Sequence, residues 1–249
     1  MIAQQRKAYI MNELYSKSIV NIKDTAKALN VSEITIRRDF EKLEAEGKLK
    51  RVQGGATLDT ALDNAELTMK NKMGLNAPNK LIVAKYAASL IHDGDCVFVD
   101  GGTTMAPLID ILVMRPIRLV TYSSLVVRNV FNPSAEIFVV GGKYLPHYSM
   151  FIGADAQDTL KRYHFNVAFL GCSGVSLDDN FCYTTEIESL QMKRIAAENS
   201  DKRYLMFDDS KLNHPGFLRF MVLNLFDEII CNAGEGVKTE ELPANFTTV

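Results

Sequence analysis

The chain has 249 residues and a formal net charge of −2, and 47% of its residues are hydrophobic against 23% that are charged. This composition is ordinary for a soluble globular protein of one or two domains. No apolar run approaches the ~20 residues of a membrane span, and the first residues lack the apolar core of a signal peptide, so we expect a cytoplasmic protein without a membrane partner.

Positive charge is concentrated at the start of the chain. Residues 1–58 contain 11 Lys and Arg against 7 Asp and Glu, a net charge of +4, whereas the remainder has a net charge of −6. A basic head on an acidic body is typical of a small DNA-binding module attached to a domain of another kind.

Cysteines and histidines do not indicate a metal site. The four cysteines are scattered without a Cys-x-x-Cys pair: Cys96, Cys172, Cys182 and Cys231. Three of them lie in apolar runs, which predicts burial rather than disulfides or metal binding. The four histidines are also not paired at metal-ligand spacing: His92, His147, His164 and His214.

Three helices are predicted in the basic head. The first covers about Ile2 to Tyr15, and the second begins at Ile22 and ends at Leu29, because apolar residues recur there at helical spacing. Asn30 and Val31 break the pattern. Ser32 then caps a third helix, since its hydroxyl can accept an orphan amide of the first turn.

The third helix has two different faces. One is apolar and the other polar, with Ile36, Phe40 and Leu43 on the first and Thr35, Arg38 and Lys42 on the second. Two helices joined by a tight turn, with Thr and Arg on the outer face of the second, are typical of a helix-turn-helix whose second helix enters the major groove.

A β-hairpin is predicted after this helix, which Gly47 ends. Leu49 to Thr57 has the pattern of a short strand, a Gly-Gly turn and a return strand, as in the wing of a winged helix-turn-helix. Lys50 and Arg51 on this wing are expected to contact the phosphate backbone.

The rest of the chain is predicted to form a polar linker and a second domain. We assign residues 1–58 to the DNA-binding domain, residues 59–79 to the linker, with a possible helix at about 64–72, and residues 80–249 to an α/β domain. Helical segments there alternate with short apolar runs, which predicts a mostly parallel sheet covered on both faces. The predicted strands are 96–99, 118–121, 136–140, 167–170, 204–207 and 228–231, and the predicted helices are 80–91, 103–114, 124–131 and 185–199.

Small and hydroxyl residues follow four of these strands. Because ligands of open parallel sheets bind beyond the carboxyl ends of the strands, these segments form a candidate phosphate cradle. They are residues 100–104 (Asp-Gly-Gly-Thr-Thr), 122–124 (Tyr-Ser-Ser), 141–143 (Gly-Gly-Lys) and 171–174 (Gly-Cys-Ser-Gly). Taken singly, each is better explained as a tight strand-to-helix turn, but four such segments at the same sheet edge favour a binding site. No Walker A or Gly-x-Gly-x-x-Gly string is present, so no nucleotide cofactor is indicated.

The sequence resembles the DeoR family of bacterial transcription regulators over nearly its whole length. The recognition-helix signature is matched by Ser32 and by residues 35–40, Thr-Ile-Arg-Arg-Asp-Phe. The sensor motifs are matched by Asp100 to Thr104, by Gly141 and Gly142, by Phe169, Gly171 and Gly174, by Lys193, and by Asp208, Ser210 and Lys211. The resemblance implies a sensor similar in fold to ribose-5-phosphate isomerase that binds a phosphorylated sugar, and repression as the usual mode.

The sequence departs from the family pattern in three places. Tyr122-Ser123 replaces Thr-Asn, Leu145 replaces an arginine, and Asn166 replaces an aspartate. Without the arginine, we expect either an effector with a single phosphate or one held by Lys143 instead.

The resulting hypothesis is a DNA-binding repressor that acts as a homo-oligomer, without cofactor or metal. The residues predicted to bind the DNA operator are Ser32, Thr35, Arg37, Arg38, Lys50 and Arg51. Those predicted to bind the phosphorylated sugar are Asp100, Gly101, Gly102, Thr103, Thr104, Ser123, Gly141, Gly142, Lys143, Lys193 and Lys211.

Two alternatives remain open. The carboxylates Asp100, Glu186, Asp208 and Asp209, together with Lys193 and Lys211, could do the acid/base work of a sugar-phosphate isomerase. The basic head could also be a protein-interaction module, although the Thr-Ile-Arg-Arg string argues against it.

Overall fold

The computed structural model describes residues 2–17, 19–57, 72–127, 130, 132–234 and 242–249. The chain forms two compact units, Met1–Leu67 and Thr68–Val249. Most of the predicted linker, including its possible helix, lies outside the described residues. The helix that was predicted to begin at Lys80 begins three residues earlier, at Ala77.

The first unit is a winged helix-turn-helix, as predicted. Its elements are α1 Ala3–Lys17, β1 Ile19–Asn21, α2 Ile22–Leu29, α3 Glu33–Ala45, β2 Lys50–Val52 and β3 Gly55–Thr57. Asn30 ends α2 in the left-handed conformation, with φ of 51°, and Ser32 caps α3 by accepting the Thr35 amide. The short turn between α2 and α3 is therefore set by residues that tolerate or provide these local geometries.

One apolar cluster holds this unit together. It includes Leu14 of α1, Ile36, Phe40 and Leu43 of α3, and Leu49 before the wing. β1 pairs antiparallel with β3 and completes a three-stranded sheet of order β1-β3-β2. This strand was not predicted from the sequence. A three-residue strand is too short for a reliable alternation of apolar and polar residues.

The second unit is built on a seven-stranded parallel sheet. In chain order, its strands are β4 Cys96–Val99, β5 Arg118–Thr121, β6 Glu136–Val139, β9 Phe165–Leu170, β12 Ser200–Phe207, β14 Glu228–Cys231 and β15 Phe246–Thr248. In spatial order, they are β15-β14-β12-β9-β4-β5-β6. The helices are α4 Ala77–Ser89, α5 Ala106–Leu112, α6 Ala154–Leu160 and α7 Ile187–Glu198.

Both faces of this sheet are buried, as its continuous apolar strands require. Alternate side chains of β4 point to opposite faces. Phe98 joins one apolar cluster with α6 and α7, whereas Val97 and Val99 join another with α4 and α5. The predicted parallel α/β architecture is confirmed.

Neither β15 of the main sheet nor the helix α6 was predicted. Five further strands were also not predicted. They are β7 Lys143–Leu145, β8 Met150–Ile152, β10 Gly174–Ser176, β11 Phe181–Thr184 and β13 Leu218–Val222. β7 and β8 form a hairpin, and β10, β11 and β13 form an antiparallel sheet. The Gly-Gly segment at 141–142 therefore leads into a hairpin and not into a helix.

Two predicted helices are shorter than expected. Residues 103–105 form a turn, so the helix predicted over 103–114 covers only Ala106–Leu112. The helix predicted over 124–131 is a 3₁₀ turn at Ser124–Val127, and residues 128, 129 and 131 lie outside the description. Among the described residues, no helix is long and apolar enough to cross a membrane.

Candidate nucleic-acid interface and anion site

The buried face of α3 fixes which side chains the helix presents to solvent. Ile36 and Phe40 are fully buried, so the outward positions Arg37 and Arg38 are exposed. Arg37 lies 3.9 Å from Glu33 one turn earlier, whereas Arg38 makes no ion pair with any described residue. Arg38 is therefore the helix arginine best able to reach a base edge.

The hydroxyls at the start of α3 bond to each other. The Ser32 Oγ accepts the Thr35 amide at 3.2 Å and lies 2.9 Å from the Thr35 Oγ1. This cap fixes the first turn of the helix, which is the part of a recognition helix that contacts bases.

Asp39 has a role that the sequence analysis missed. It lies in the Arg-Arg-Asp string but is almost fully buried, and the Arg6 Nε and Nη2 donate to its two oxygens at 2.7 and 3.2 Å. Asp39 thus fixes α3 to α1 through a bidentate ion pair. Asp39 lies three residues after Ile36 and four before Leu43, so helical spacing places it on the buried face of α3. This spacing could have indicated its structural role.

The two wing cations differ. Arg51 donates from its backbone and its Nε to Glu44 and from its Nη1 to Glu41, both on α3. The pKa of Glu44 is lowered, first by the Arg51 amide and then by its guanidinium. Because these bonds occupy Arg51, Lys50, which is exposed and has no ion pair among the described residues, is the better candidate for a phosphate contact.

In the second unit, the candidate site lies where the strand order reverses. β4 and β9 are neighbours, but the chain continues to β5 on one side and to β12 on the other. Ligands of open parallel sheets bind at such a switch point. Asp100 follows β4 and Gly171 follows β9, and the Asp100 carboxylate bridges them by accepting the amides of Gly101 and Gly171, each at 2.8 Å.

Asp100 and Lys193 are buried partners beneath this loop. Asp100 is fully buried, and Lys193 of α7 donates to it and also to the Gly171 carbonyl at 2.9 Å. The Tyr122 hydroxyl also donates to Asp100. Burial, followed by the Asp100 charge, raises the pKa of Tyr122. Asp100 and Lys193, which were both predicted to bind the effector, therefore pair with each other and hold the loop of residues 100–104 in place.

The threonine hydroxyls above them each accept from a lysine. The Lys211 Nζ donates to the Thr104 Oγ1 at 3.0 Å, and the Lys80 Nζ donates to the Thr103 Oγ1 at 3.1 Å. Lys80 is nearly buried, and this burial, followed by the neighbouring Lys211, lowers its pKa to about 8. Lys80 was not predicted as a site residue. Its position on the otherwise apolar face of a helix could have indicated that role.

Asp208, at the end of β12, offsets only part of this positive charge. Its pKa is lowered, because Lys211, Ser210, Asn76 and Lys80 together outweigh the burial that alone would raise it. Two lysines facing one carboxylate leave one positive charge unmatched, which favours an anion.

The loop backbone is open to such an anion. Among the described residues, the amides of Gly102, Thr103 and Thr104 have no acceptor. Gly102 has φ of 99°, which favours glycine, and a Cβ at Gly101 would collide with the Met150 side chain. Unpaired amides beside two ammonium groups form an anion-binding arrangement.

The remaining predicted effector residues follow the neighbouring strands β5 and β6. Ser123 is buried and its Oγ accepts the Leu125 amide at 3.3 Å. Gly141, Gly142 and Lys143 are exposed beyond β6, the last strand of the sheet. Within the described part of the chain, none of these four hydrogen-bonds to residues 100–104.

One departure from the family pattern has no connection with the site. Asn166 lies near the start of β9, where its Oδ1 accepts the Cys96 amide at 2.8 Å. This is the amino end of the strands, opposite the carboxyl ends that bear the anion site.

Two family models match the chain. The DeoR-like helix-turn-helix domain matches residues 6–61, and the DeoR C terminal sensor domain matches residues 75–233. The chain therefore belongs to the DeoR family of helix-turn-helix transcription regulators, and the predicted resemblance is confirmed.

Two curated relatives cover nearly the whole chain. The lactose phosphotransferase system repressor of Lactococcus lactis subsp. lactis is 32% identical over 254 residues, covering 100% of this chain and 98% of that protein. The uncharacterized HTH-type transcriptional regulator FruR of Bacillus subtilis (strain 168) is 31% identical over 221 residues, covering 88% and 87%.

Solved structures show weaker likeness. Ribose 5-phosphate isomerase A from Methanocaldococcus jannaschii matches at 20% identity and a TM-score of 0.40 over 55% of each chain. The sorbitol operon regulator SorC from Klebsiella pneumoniae matches at 12% identity and a TM-score of 0.36, covering 85% of this chain and 91% of that one. At these scores the likeness supports no argument about function.

Proposed function

We propose that this protein represses a carbohydrate-metabolism operon and leaves its DNA operator when a phosphorylated sugar binds at residues 100–104. The observation that carries the proposal is the pair of lysines, Lys80 and Lys211, on the hydroxyls of Thr103 and Thr104 beside unpaired amides. A compact ammonium suits a phosphate. The repressor named among its relatives supports the same role.

The protein is proposed to act in the cytoplasm as a dimer or larger homo-oligomer, because a palindromic operator is matched by a two-fold symmetric protein. An isomerase activity is not proposed. Asp100 already accepts from two amides, a tyrosine hydroxyl and an ammonium group, so it is not available as a general base.

A thermal-shift screen followed by DNA binding tests this proposal. The panel contains glucose 6-phosphate, fructose 6-phosphate, ribose 5-phosphate, inorganic phosphate and the free sugars. A ligand at about 100 times its dissociation constant adds about 2.7 kcal/mol to the free energy of unfolding. The stabilising sugar phosphate should weaken binding to a duplex selected from a random library. Steady turnover of that sugar phosphate would instead make the protein an enzyme.

The DNA half of the proposal predicts different effects for Arg38 and Lys50. Arg38→Ala should cost about 1–3 kcal/mol of operator binding and relax preference at one base, because a base contact is lost. Lys50→Ala should weaken all sequences alike and flatten the salt dependence. Competition binding over a range of salt concentrations measures both, with Arg162→Ala in the second unit as control. Unchanged binding by both Arg37→Ala and Arg38→Ala would contradict the assignment of α3.

Lys80 predicts a pH dependence. Its pKa in the folded protein, about 8, lies below the 10.5 of an ordinary lysine, chiefly because the side chain is buried. The unfolded chain therefore holds this proton more tightly, and the free energy of unfolding should rise from about pH 8 to about pH 10.5 as the buried charge is lost. Lys80→Met should remove this rise, which denaturant unfolding across that range measures.

A bound phosphate should raise the pKa of Lys80 again, because a nearby anion favours the ammonium form. Binding near about pH 9 should then take up a proton, and affinity should fall as the pH rises above about 8. Calorimetry in buffers of different ionisation heat counts the proton. Equal uptake by wild type and Lys80→Met would assign it to another group.

A further inference from the structure

We propose that the connector, defined as residues 72–79, transmits occupancy of the anion site to the DNA-binding domain. The inference rests on the proposed function. The second unit begins at Thr68, so the connector lies close to its start, and the chain before the connector leads to the first unit, which ends at Leu67. A change in the position of the connector is therefore passed along the chain towards the helix-turn-helix.

Three side-chain bonds hold the connector and the start of α4 to the anion site. The Asn76 Nδ2 donates to the Asp208 Oδ1 at 2.9 Å, and the Asn79 Nδ2 donates to the Asp209 Oδ1 at 3.0 Å. The Lys80 Nζ donates to the backbone carbonyl of Lys72 at 2.7 Å. The two acceptor carboxylates lie more than 100 residues away in sequence, so these bonds are tertiary contacts.

The geometry of Asn76 supports this role. It occupies the N-cap position of α4, where an asparagine side chain normally accepts an amide of the first turn. Here its side chain makes no capping bond and reaches Asp208 instead. Its φ of 50° places it in the left-handed region. The helix start is thus committed to the anion site rather than to its own amides.

The connector and an incoming phosphate would share the same groups. The Lys80 ammonium donates both to the Lys72 carbonyl and to the Thr103 hydroxyl. Asp208, the acceptor of Asn76, lies 3.9 Å from the Lys211 Nζ, which donates to Thr104. One Asp208 oxygen is buried without a hydrogen-bond partner.

A phosphate at the threonines changes the strength of these bonds. A charged phosphate oxygen is a stronger acceptor than a neutral carbonyl, so it draws the Lys80 ammonium away from Lys72. It also competes with Asp208 for Lys211, and its negative charge repels the Asp208 carboxylate that holds Asn76. An effector shifts an equilibrium only through such differential contacts. The connector is held in the empty site and released in the occupied one.

The test uses the full chain with Asn76→Gly and Asn79→Ala combined. Glycine tolerates the left-handed backbone at 76, so only the side-chain bonds to Asp208 and Asp209 are removed. Asn180→Gly is the matched control, because Asn180 has φ of 56° and bonds only through its backbone among the described contacts. The probe is the sugar phosphate with the largest thermal shift in the panel above.

The double variant should still be stabilised by that sugar phosphate. Without the sugar phosphate it should already bind the operator about as weakly as wild type does with it, because the connector is released in both. Its ligand-dependent loss of operator affinity should fall from the ordinary range of about 5- to 150-fold to below about threefold. Asn180→Gly should respond like wild type. A full response by the double variant would overturn the connector inference and leave the proposed function standing, whereas no response by wild type would overturn both.

Discussion

Replacing Lys193 by methionine is expected to destabilise the second unit by about 3–5 kcal/mol, because it leaves the Asp100 carboxylate buried and unpaired. Asp100 is fully buried and Lys193 is 4% exposed, so water cannot replace the lost partner. Denaturant unfolding at neutral pH measures the loss. Lys161→Met, which breaks an exposed pair with Asp158, should change stability by only about 0–1 kcal/mol.

A second substitution separates charge from shape. Asp100→Asn combined with Lys193→Met removes both charges at nearly constant volume, and it should be more stable than Lys193→Met alone, because no unpaired charge remains. If Lys193→Met, Asp100→Asn and their combination were equally destabilising, packing rather than charge would hold the loop of residues 100–104.

Replacing both Thr103 and Thr104 by valine is expected to give a repressor that cannot be induced. The change removes the hydroxyl acceptors of Lys80 and Lys211 and two donors for the phosphate, while the volume of each side chain is nearly kept. Operator affinity should stay at the wild-type value. Its decrease with the sugar phosphate, about 5- to 150-fold in an ordinary coupled system, should disappear.

Operator binding with and without the panel's best sugar phosphate measures this response. Thr159→Val on α6, far along the chain from the loop, should be induced like wild type. Full induction of the double valine variant would place the phosphate elsewhere, with the exposed Gly141-Gly142-Lys143 segment as the next candidate.

Local sequence indicated the helix-turn-helix and most strands of the parallel sheet. The cap at Ser32 and the apolar face of Ile36, Phe40 and Leu43 depend on spacings of three and four residues, which the sequence displays directly. The strands β4, β5, β9 and β14 are short apolar runs, and the segments that follow them had to meet at one edge, because the strands are parallel.

Only the tertiary structure decided which side chains meet. Lys193 and Asp100 are separated by 93 positions, and Arg6 and Asp39 by 33, so no local pattern indicates either pair. Lys80 became a site residue because α4 packs beside the loop after β4. The position of Asn166 at the amino end of β9, away from residues 100–104, was also visible only in the fold.

The antiparallel additions also depended on long-range pairing. β11 pairs with β13 across about 40 residues, and both are short strands in which apolar and polar residues alternate poorly. A strand gains its hydrogen bonds from a partner that the local sequence does not specify. For this chain, periodicity and capping therefore predicted the central strands and every helix named above except α6, whereas ion pairs, sheet additions and the composition of the anion site followed from packing between distant segments.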